Sequence, residues 1–144
     1  MSNQRDKGAF DPGIQRDTGY YDDVMKELVI SLRKSIDIAS QAGIPFSNII
    51  VDPGIGFGKT WKYDLWIIQR LGELKALKRP ILVGPSRKSF IKMILNLPPH
   101  ERIEGTAAAV AISICKGADI VRVHDVKQMV RVSRVSDAIV RGSE

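Results

Sequence analysis

The sequence predicts an α/β protein built on parallel strands, and two observations carry that prediction. Three short, nearly continuous apolar segments at 48–52, 80–83 and 118–124 have the composition of strands buried on both faces. They alternate with segments whose apolar residues recur at helical spacing, in the order α-β-α-β-α-β-α. Repeated βα units form a parallel sheet that is either doubly wound or closed into a barrel. Three strands are too few to close a barrel, so the sequence predicts a small open α/β domain or part of a larger one.

The N-terminal region divides into a loop and a helix. Residues 1–21 contain Pro12 and no periodic apolar pattern, which predicts a long flexible loop. A helix is predicted from Asp22, because apolar residues then recur at steps of three and four. These residues are Met25, Leu28, Val29, Leu32, Ile36 and Ala39. Gly43 is a natural C-terminal stop for this helix.

Three more helices are predicted between the strands, at about 60–74, 87–96 and 102–116. Thr60 is placed to cap the first, and Ser86 is placed to start the second. The third is apolar on most sides, so we expect it to be well buried.

A final helix is predicted to follow Asp125, which is placed to cap it. Its inner face is expected to include Val126, Met129 or Val130, and Ala138.

Composition narrows the class of partner. Lys and Arg number 22 against 16 Asp and Glu, a net charge of +6 that favours an anionic partner or a solvated basic surface. Nucleic acid is not expected, because basic and aromatic residues do not interleave. No apolar run approaches the length of a membrane span, and the start lacks the order of a signal peptide. A single cysteine, Cys115, fits a reducing compartment, so we expect a cytoplasmic protein without a membrane partner.

Polar residues occur at the carboxyl end of every predicted strand, where parallel α/β folds place their chemistry. They are Asp52, Ser86 to Ser89 directly after the Gly84 turn, Arg122 and His124. The last two are two positions apart, so they share one face of their strand. A salt bridge to Asp52, Asp119 or Asp125 could explain either Arg122 or His124. Three strand ends with this character together predict a site.

The residue types predict the ligand. Lys88, Arg122, His124 and also Arg87 are donors suited to phosphate oxygens. The single acid, Asp52, can accept two parallel N–H bonds from a flat amidine-like edge such as that of a pterin or guanine. The site is therefore predicted to hold one heterocycle and one or two anionic groups.

The glycine-rich stretch after Asp52 resembles a P-loop but fails its spacing. The motif needs a glycine five positions before Gly58, where this chain has Pro53. The dinucleotide-binding pattern also fails, because Gly54, Gly56 and Gly58 are evenly spaced. The glycines instead predict a tight turn that lets backbone approach a flat ligand, with Phe57 facing that ligand.

Three segments together resemble a known family. DPGIGFGK at 52–59, SRKS at 86–89 and RVHDV at 122–126 are similar, in order and spacing, to the three C-terminal signatures of dihydropteroate synthases. In that family they follow strands 6, 7 and 8 of a TIM (β/α)8 barrel. The resemblance runs over essentially the whole chain. It implies that residues 1–144 are the C-terminal part of a single pterin-binding barrel domain, with parallel strands, surrounding helices and an incomplete barrel.

The resemblance implies a transferase of folate biosynthesis that is also a sulfonamide target. Such an enzyme joins 6-hydroxymethyl-7,8-dihydropterin diphosphate to 4-aminobenzoate and releases pyrophosphate. Mg²⁺ is implied as the counter-ion of the diphosphate, with its protein ligand in the N-terminal half of the barrel and no metal ligand in this chain. Without that half, we expect weak or no synthase activity. The helices of the family's usual dimer contact are present, so a homodimer is also implied.

The family's functional residues carry over by position. The residues implied to bind substrate are Asp52, Gly56, Phe57, Gly84, Ser86, Lys88, Ser89, Arg122 and His124. Of these, Lys88, Arg122 and His124 are implied to be catalytic, the last two through the diphosphate. Asp52 is implied to bind the pterin edge, and Ser89 the carboxylate of the aminobenzoate.

Two other interpretations stay open from the sequence. One is the pterin-binding domain of a methyltetrahydrofolate:corrinoid methyltransferase, which shares the barrel. The SRKS segment and the Arg122–His124 pair argue against it, because a methyl donor carries no diphosphate. The other is a non-catalytic half-barrel that serves as a binding or assembly module.

Overall fold

The computed structural model describes residues 18–57 and 60–142, and its strands are parallel as predicted. Strand β1 (Leu82–Val83) pairs with β2 (Ile120–Val121), with Leu82 opposite Ile120 and Val83 opposite Val121. Val51 forms a parallel bridge to Ile81 on the other side of β1. The three predicted strands therefore lie side by side in an α/β fold.

The paired segments are shorter than the sequence predicts, for local reasons. The first predicted strand was expected to begin at residue 48, but Asn48 belongs to a 3₁₀ helix at Phe46–Asn48. At the far end, the N–H of Arg122 still donates to the carbonyl of Val83, at 2.9 Å. The N–H of His124 donates instead to the side chain of Ser86, at 3.2 Å, so the ladder ends there.

In the described part of the chain, five α-helices surround the strands. Their bounds are α1 Thr18–Gln41, α2 Trp61–Gln69, α3 Ser89–Leu95, α4 Ile103–Cys115 and α5 Val126–Arg141. Two more 3₁₀ helices lie at Leu71–Leu77 and Pro99–Glu101.

The helix starts differ from the predictions in two places. The predicted loop at 1–21 is wrong for residues 18–21, which already belong to α1, and residues 1–17 lie outside the described part of the chain. The predicted helix at 60–74 is two helices, because the backbone leaves α-helical geometry at Arg70.

The main core lies between α1, the strands and the helices that follow them. Met25, Leu28 and Leu32 of α1 are each at most 2% exposed, which confirms the predicted stripe. They belong to one buried cluster with Val51 and Val83. This cluster fixes the strands whose carboxyl ends carry the polar residues.

A second, smaller core joins α4 to α5 through Val110, Ile114 and Met129. Burial of α4 on most sides was expected, but Ile112 is 50% exposed. On α5 the expected alternative of Met129 or Val130 is met by Met129, which is buried, whereas Val126 and Ala138 are exposed, contrary to the prediction. Helix α5 packs mainly against α4, and this contact buries one narrow stripe of it.

No helix in residues 18–57 and 60–142 combines the length and hydrophobicity needed to cross a membrane.

Candidate active site

The polar side chains at the strand ends meet around one cavity of about 410 Å³. Its lining residues are Phe57, Gly84, Ser86, Lys88, Arg122, Val123 and His124. The ammonium of Lys88 lies 4.0 Å from the centre of the Phe57 ring, within cation–π range. Arg122 Nη2 lies 3.5 Å from Asp52 Oδ2, which brings the carboxylate to the rim. One acid and several nitrogen donors therefore face a common space.

The segment 52–57 that supplies Asp52 is a glycine turn held by two carboxylates. Asp52 Oδ1 accepts the N–H of Gly54 at 2.7 Å, and Asp64 Oδ1 accepts the N–H of Gly56 at 2.9 Å. Both glycines have positive φ, +75° and +76°, a conformation that side-chain-bearing residues rarely adopt. Asp64 is fully buried on α2. Its role was not predicted from the sequence, although an acid among the apolar residues of a helix start is a usable signal.

Two glycines leave room for the cations. A Cβ added to Gly56 would lie 2.6 Å from Cδ of Lys88. A Cβ added to Gly84 would lie 3.2 Å from Nη2 of Arg122. The tight packing explains why these positions lack a side chain, and it sets the positions of Lys88 and Arg122 relative to the backbone.

The segment 84–88 is fixed by hydrogen bonds from residues at the start of α4. Within this segment, Arg87 has φ +58°. The N–H of Arg87 donates to Thr106 Oγ1 at 3.1 Å, and its carbonyl accepts from Arg102 Nη1 at 2.9 Å. Arg102 also donates to the carbonyl of Leu97 at 2.8 Å. Arg102 and Thr106 are both buried, so these hydrogen bonds form in a low-dielectric environment.

Arg87 does not contribute its charge to the cavity, contrary to the prediction. Its guanidinium makes two bonds to the carboxylate of Asp125, at 3.1 and 2.6 Å. This hydrogen bonding raises the pKa of Arg87 and lowers the pKa of Asp125. Asp125 precedes α5 as predicted, but its carboxylate binds Arg87 rather than capping the helix.

Ser86 and His124 contact each other across neighbouring strands. Ser86 is 3% exposed, and its Oγ lies 2.9 Å from Nδ1 of His124. Ser86 was expected to start a helix, but α3 starts at Ser89 with Lys88 at the capping position.

The matched family model is that of a pterin binding enzyme, over residues 8–124. The chain belongs to this family. It is 47% identical over 119 residues to the dihydropteroate synthase of Bacillus subtilis, covering 83% of this chain and 42% of that protein. The Yersinia pestis dihydropteroate synthase, solved in complex with a sulfonamide drug, superposes with TM-score 0.81 and 38% identity over 86% of this chain and 45% of that one. The Thermus thermophilus synthase, solved with 4-aminobenzoate, gives TM-score 0.76 and 36% identity over 81% and 47%.

These findings confirm the resemblance to dihydropteroate synthases. The chain spans less than half the length of the relatives just described. Within this chain, one cavity is lined by the predicted residues Phe57, Gly84, Ser86, Lys88, Arg122 and His124. Asp52 and Gly56 adjoin it through Arg122 and Lys88. Ser89, the remaining candidate, is exposed at the start of α3 and is not among the lining residues.

Proposed function

We propose that this chain forms the C-terminal portion of a dihydropteroate synthase. That enzyme joins 6-hydroxymethyl-7,8-dihydropterin diphosphate to 4-aminobenzoate and releases pyrophosphate. The observation that carries the proposal is the convergence of Lys88, Arg122 and His124 on one cavity beside the Asp52 carboxylate. A cavity of this size suits a bicyclic ring with its substituents. The three short parallel strands would then be part of an incomplete (β/α)8 barrel.

In this proposal a cationic side chain and an imidazole N–H donor stabilise the leaving group. The reaction forms a C–N bond between the aminobenzoate amine and the pterin methylene carbon, and it breaks the C–O bond to the diphosphate. Negative charge grows on the departing oxygen, where Arg122 and His124 would stabilise it electrostatically. Lys88, stacked on Phe57, would contact the pterin and the aminobenzoate side. The pterin ring would share the positive charge left on its methylene carbon.

Asp52 would bind the N–H edge of the pterin. Its side chain is 13% exposed, whereas that of Arg122 is 58% exposed. Their 3.5 Å contact is loose, because charge-assisted N–H···O bonds are usually 2.7–2.9 Å long. A pterin edge could therefore replace Arg122 on the carboxylate, and Arg122 would be released to the diphosphate.

The described part of the site does not fit a Mg²⁺ ion held by the protein. In residues 18–57 and 60–142, no cluster of three or more His, Cys, Asp or Glu side chains has the arrangement of a metal site. Asp52, which adjoins the cavity, already contacts Arg122 and the N–H of Gly54. We propose that Mg²⁺ arrives with the substrate diphosphate and takes its protein ligand from the N-terminal half of the barrel.

Self-association is a separate part of the proposal. Met93 and Ile94 of α3 and Ile112 of α4 are each at least 50% exposed. A homodimer that buries this surface would remove their apolar area from water. Sedimentation velocity at rising concentration tests it, since a constant monomer mass would contradict the dimer.

The proposed function is tested by titrating the chain with the pterin diphosphate and with pyrophosphate in a calorimeter. We expect both to bind, and Lys88→Ala and Arg122→Ala each to abolish measurable binding. Lys26→Ala and Arg131→Ala remove the same charges from exposed positions on α1 and α5, so they serve as matched controls. Unchanged affinity in the Lys88 or Arg122 variant would refute the residue assignment.

Activity needs a second experiment, because the chain supplies only part of the proposed barrel. We expect the chain alone to form little or no dihydropteroate. Co-expression with the N-terminal half of the Bacillus subtilis synthase should restore product formation. Binding of methyltetrahydrofolate without competition by pyrophosphate would instead favour the corrinoid methyltransferase interpretation.

A further inference from the structure

We propose that Ser86 is a positioning residue that holds His124 in the neutral tautomer with its proton on Nε2. Ser86 was expected from the family resemblance to bind substrate itself. Its geometry instead directs its hydroxyl to His124, so its effect on a ligand passes through the imidazole. The consequence for ligand binding rests on the proposed function, in which His124 meets an anionic group.

The hydrogen bonds of the Ser86 hydroxyl determine the tautomer of His124. A serine hydroxyl has one proton to donate and two lone pairs to accept with. The backbone N–H of His124 can only donate, so at 3.2 Å it occupies one lone pair of Ser86 Oγ. The proton of the hydroxyl is still available for the second contact, the 2.9 Å approach to Nδ1.

Two arrangements of the second contact are conceivable, and burial separates them. If the hydroxyl donates to Nδ1, every hydrogen-bonding group at the contact is satisfied. If Nδ1–H donates to the hydroxyl, Ser86 accepts twice and its own proton needs another acceptor. Among the described residues, the hydroxyl has hydrogen-bond partners only on His124, and Ser86 is 3% exposed. A buried donor without an acceptor is costly, so the first arrangement is favoured.

The favoured arrangement determines which ring nitrogen of His124 can donate a hydrogen bond to a ligand. With Nδ1 accepting, the neutral ring carries its proton on Nε2, the nitrogen on the other side of the ring. His124 lines the cavity, so a ligand there meets an N–H donor rather than a lone pair. An N–H suits a phosphate oxygen, whereas a lone pair would repel it.

The hydroxyl is also well placed to hold this orientation. Ser86 precedes Arg87, whose N–H and carbonyl are fixed by the buried Thr106 and Arg102. The segment 84–88 is thus anchored to α4, and the hydroxyl reaches from it to the end of the neighbouring strand. The same oxygen, Ser86 Oγ, therefore holds His124 at two points, its backbone N–H and its ring Nδ1.

Nuclear magnetic resonance tests the tautomer directly. The chain has two histidines, and the Nε2 of the exposed His100 lies 3.3 Å from Oε1 of Glu101, so the reference for an unconstrained ring is a short histidine-containing peptide. Long-range ¹H–¹⁵N correlation at about pH 8.5, above the ordinary histidine pKa of about 6.5, distinguishes the two tautomers. We expect His124 to show the Nε2–H tautomer alone and Ser86→Ala to move its ring ¹⁵N shifts towards those of the reference peptide. An Nδ1–H tautomer in the wild type overturns the proposal without any variant.

A matched control separates this effect from general loss of a buried hydroxyl. Ser113 is also fully buried, and its Oγ donates to the carbonyl of Ala109 at 2.7 Å. Ser113→Ala should leave the His124 ring shifts unchanged. Equal shifts in both variants would assign the change to loosened packing and overturn the role of Ser86.

Binding of pyrophosphate then distinguishes an indirect role from direct contact. We expect Ser86→Ala to weaken pyrophosphate binding about tenfold, the effect of losing one ordinary hydrogen bond. In a His124→Ala background the same substitution should have no further effect, because the effect passes through the ring. A loss that persists in that background overturns the proposal and assigns direct contact. If pyrophosphate fails to bind the wild type, the proposed function fails, while the tautomer result still decides the role of Ser86.

Discussion

Two neighbouring segments of the site adopt left-handed backbone conformations, and different features of the sequence make this possible in each. Both follow a strand and both contain residues at positive φ. In the segment 52–57 these residues are glycines, Gly54 and Gly56, which adopt that conformation at little steric cost. In the segment 84–88 the residue is Arg87, where a left-handed conformation costs about 1–2 kcal/mol. The second segment must therefore be held by contacts from elsewhere in the fold.

Substitutions in the two segments should therefore have different effects. The glycine turn needs empty space, since Lys88 packs where a Cβ of Gly56 would be. The segment 84–88, called here the arginine turn, needs its anchors. These are Arg102 and Thr106, which hydrogen-bond to the carbonyl and the N–H of Arg87. Removing an anchor should lower global stability, whereas filling the glycine space should also displace Lys88 and so weaken ligand binding.

Replacing Arg102 with methionine should have the largest effect on stability. It removes two hydrogen bonds from a charged donor and leaves the carbonyls of Leu97 and Arg87 without their buried partner. Hydrogen bonds to charged groups contribute roughly 1.5–3 kcal/mol each, so we expect a loss of about 3 kcal/mol. Urea unfolding followed by circular dichroism measures this free energy.

The matched control for this substitution is Arg79→Met. Arg79 also donates to two backbone carbonyls, those of Lys78 and Phe46, but its hydrogen bonds are exposed. Water can replace the lost donor there, so we expect a loss of about 1 kcal/mol or less. Equal losses in the two variants would mean that burial does not give the Arg102 anchor its strength.

Replacing Thr106 with valine should have an intermediate effect. The side chains have nearly the same shape, but valine cannot accept the N–H of Arg87, which would be left buried without its acceptor. We expect a loss of about 1–2 kcal/mol. Thr106→Ser keeps the hydroxyl and deletes one methyl group, so it separates the hydrogen bond from packing. If serine destabilises the chain more than valine, packing rather than the hydrogen bond is the main contribution of Thr106.

Filling the glycine space should affect binding more selectively. Gly56→Ala introduces left-handed strain of about 1–2 kcal/mol and displaces the flexible end of Lys88. Gly43→Ala introduces similar strain, at φ +86°, with nothing within 4 Å of the new Cβ. We expect similar losses of stability in both variants and weaker binding of the pterin diphosphate in Gly56→Ala alone. Retained binding in Gly56→Ala would show that the position of Lys88 is not set by this glycine.

The same comparison shows which parts of the site a sequence can predict. The strand ends and the glycine turn were predicted because their signals are local: an apolar run followed by Asp52, or glycines at fixed spacing. The anchors were missed because Arg102 and Thr106 act on Arg87 from 15 and 19 residues away, across a helix packing. Arg87 was assigned to phosphate for the same reason, since nothing local reveals its partner Asp125, 38 residues later.

The ends of elements were predicted less well than their existence. Helix α1 starts at Thr18 rather than Asp22, in a region without the apolar repeat that defined the helix. Helix α5 buries Met129 but exposes Val126, because α4 covers only one stripe of it. Apolar periodicity indicates which helix face can be buried, whereas the neighbouring elements determine how much of that face is buried.

The smallest predicted effect concerns the ion pair at the front of the arginine turn. Bonding to Arg87 lowers the pKa of Asp125 in the folded chain. Its contribution to stability is therefore complete above the ordinary aspartate pKa and is lost as the pH falls through the lowered value. The raised pKa of Arg87 keeps that side chain charged throughout this range. Unfolding free energies between pH 7 and about pH 2.5 should fall less steeply in Asp125→Asn than in the wild type. Asp137→Asn, which alters the exposed Asp137–Arg141 pair of α5, should keep the wild-type slope. If the Asp125 and Asp137 variants flatten the curve equally, the Arg87 pair has no special role in acid stability, and the buried anchors alone hold the turn.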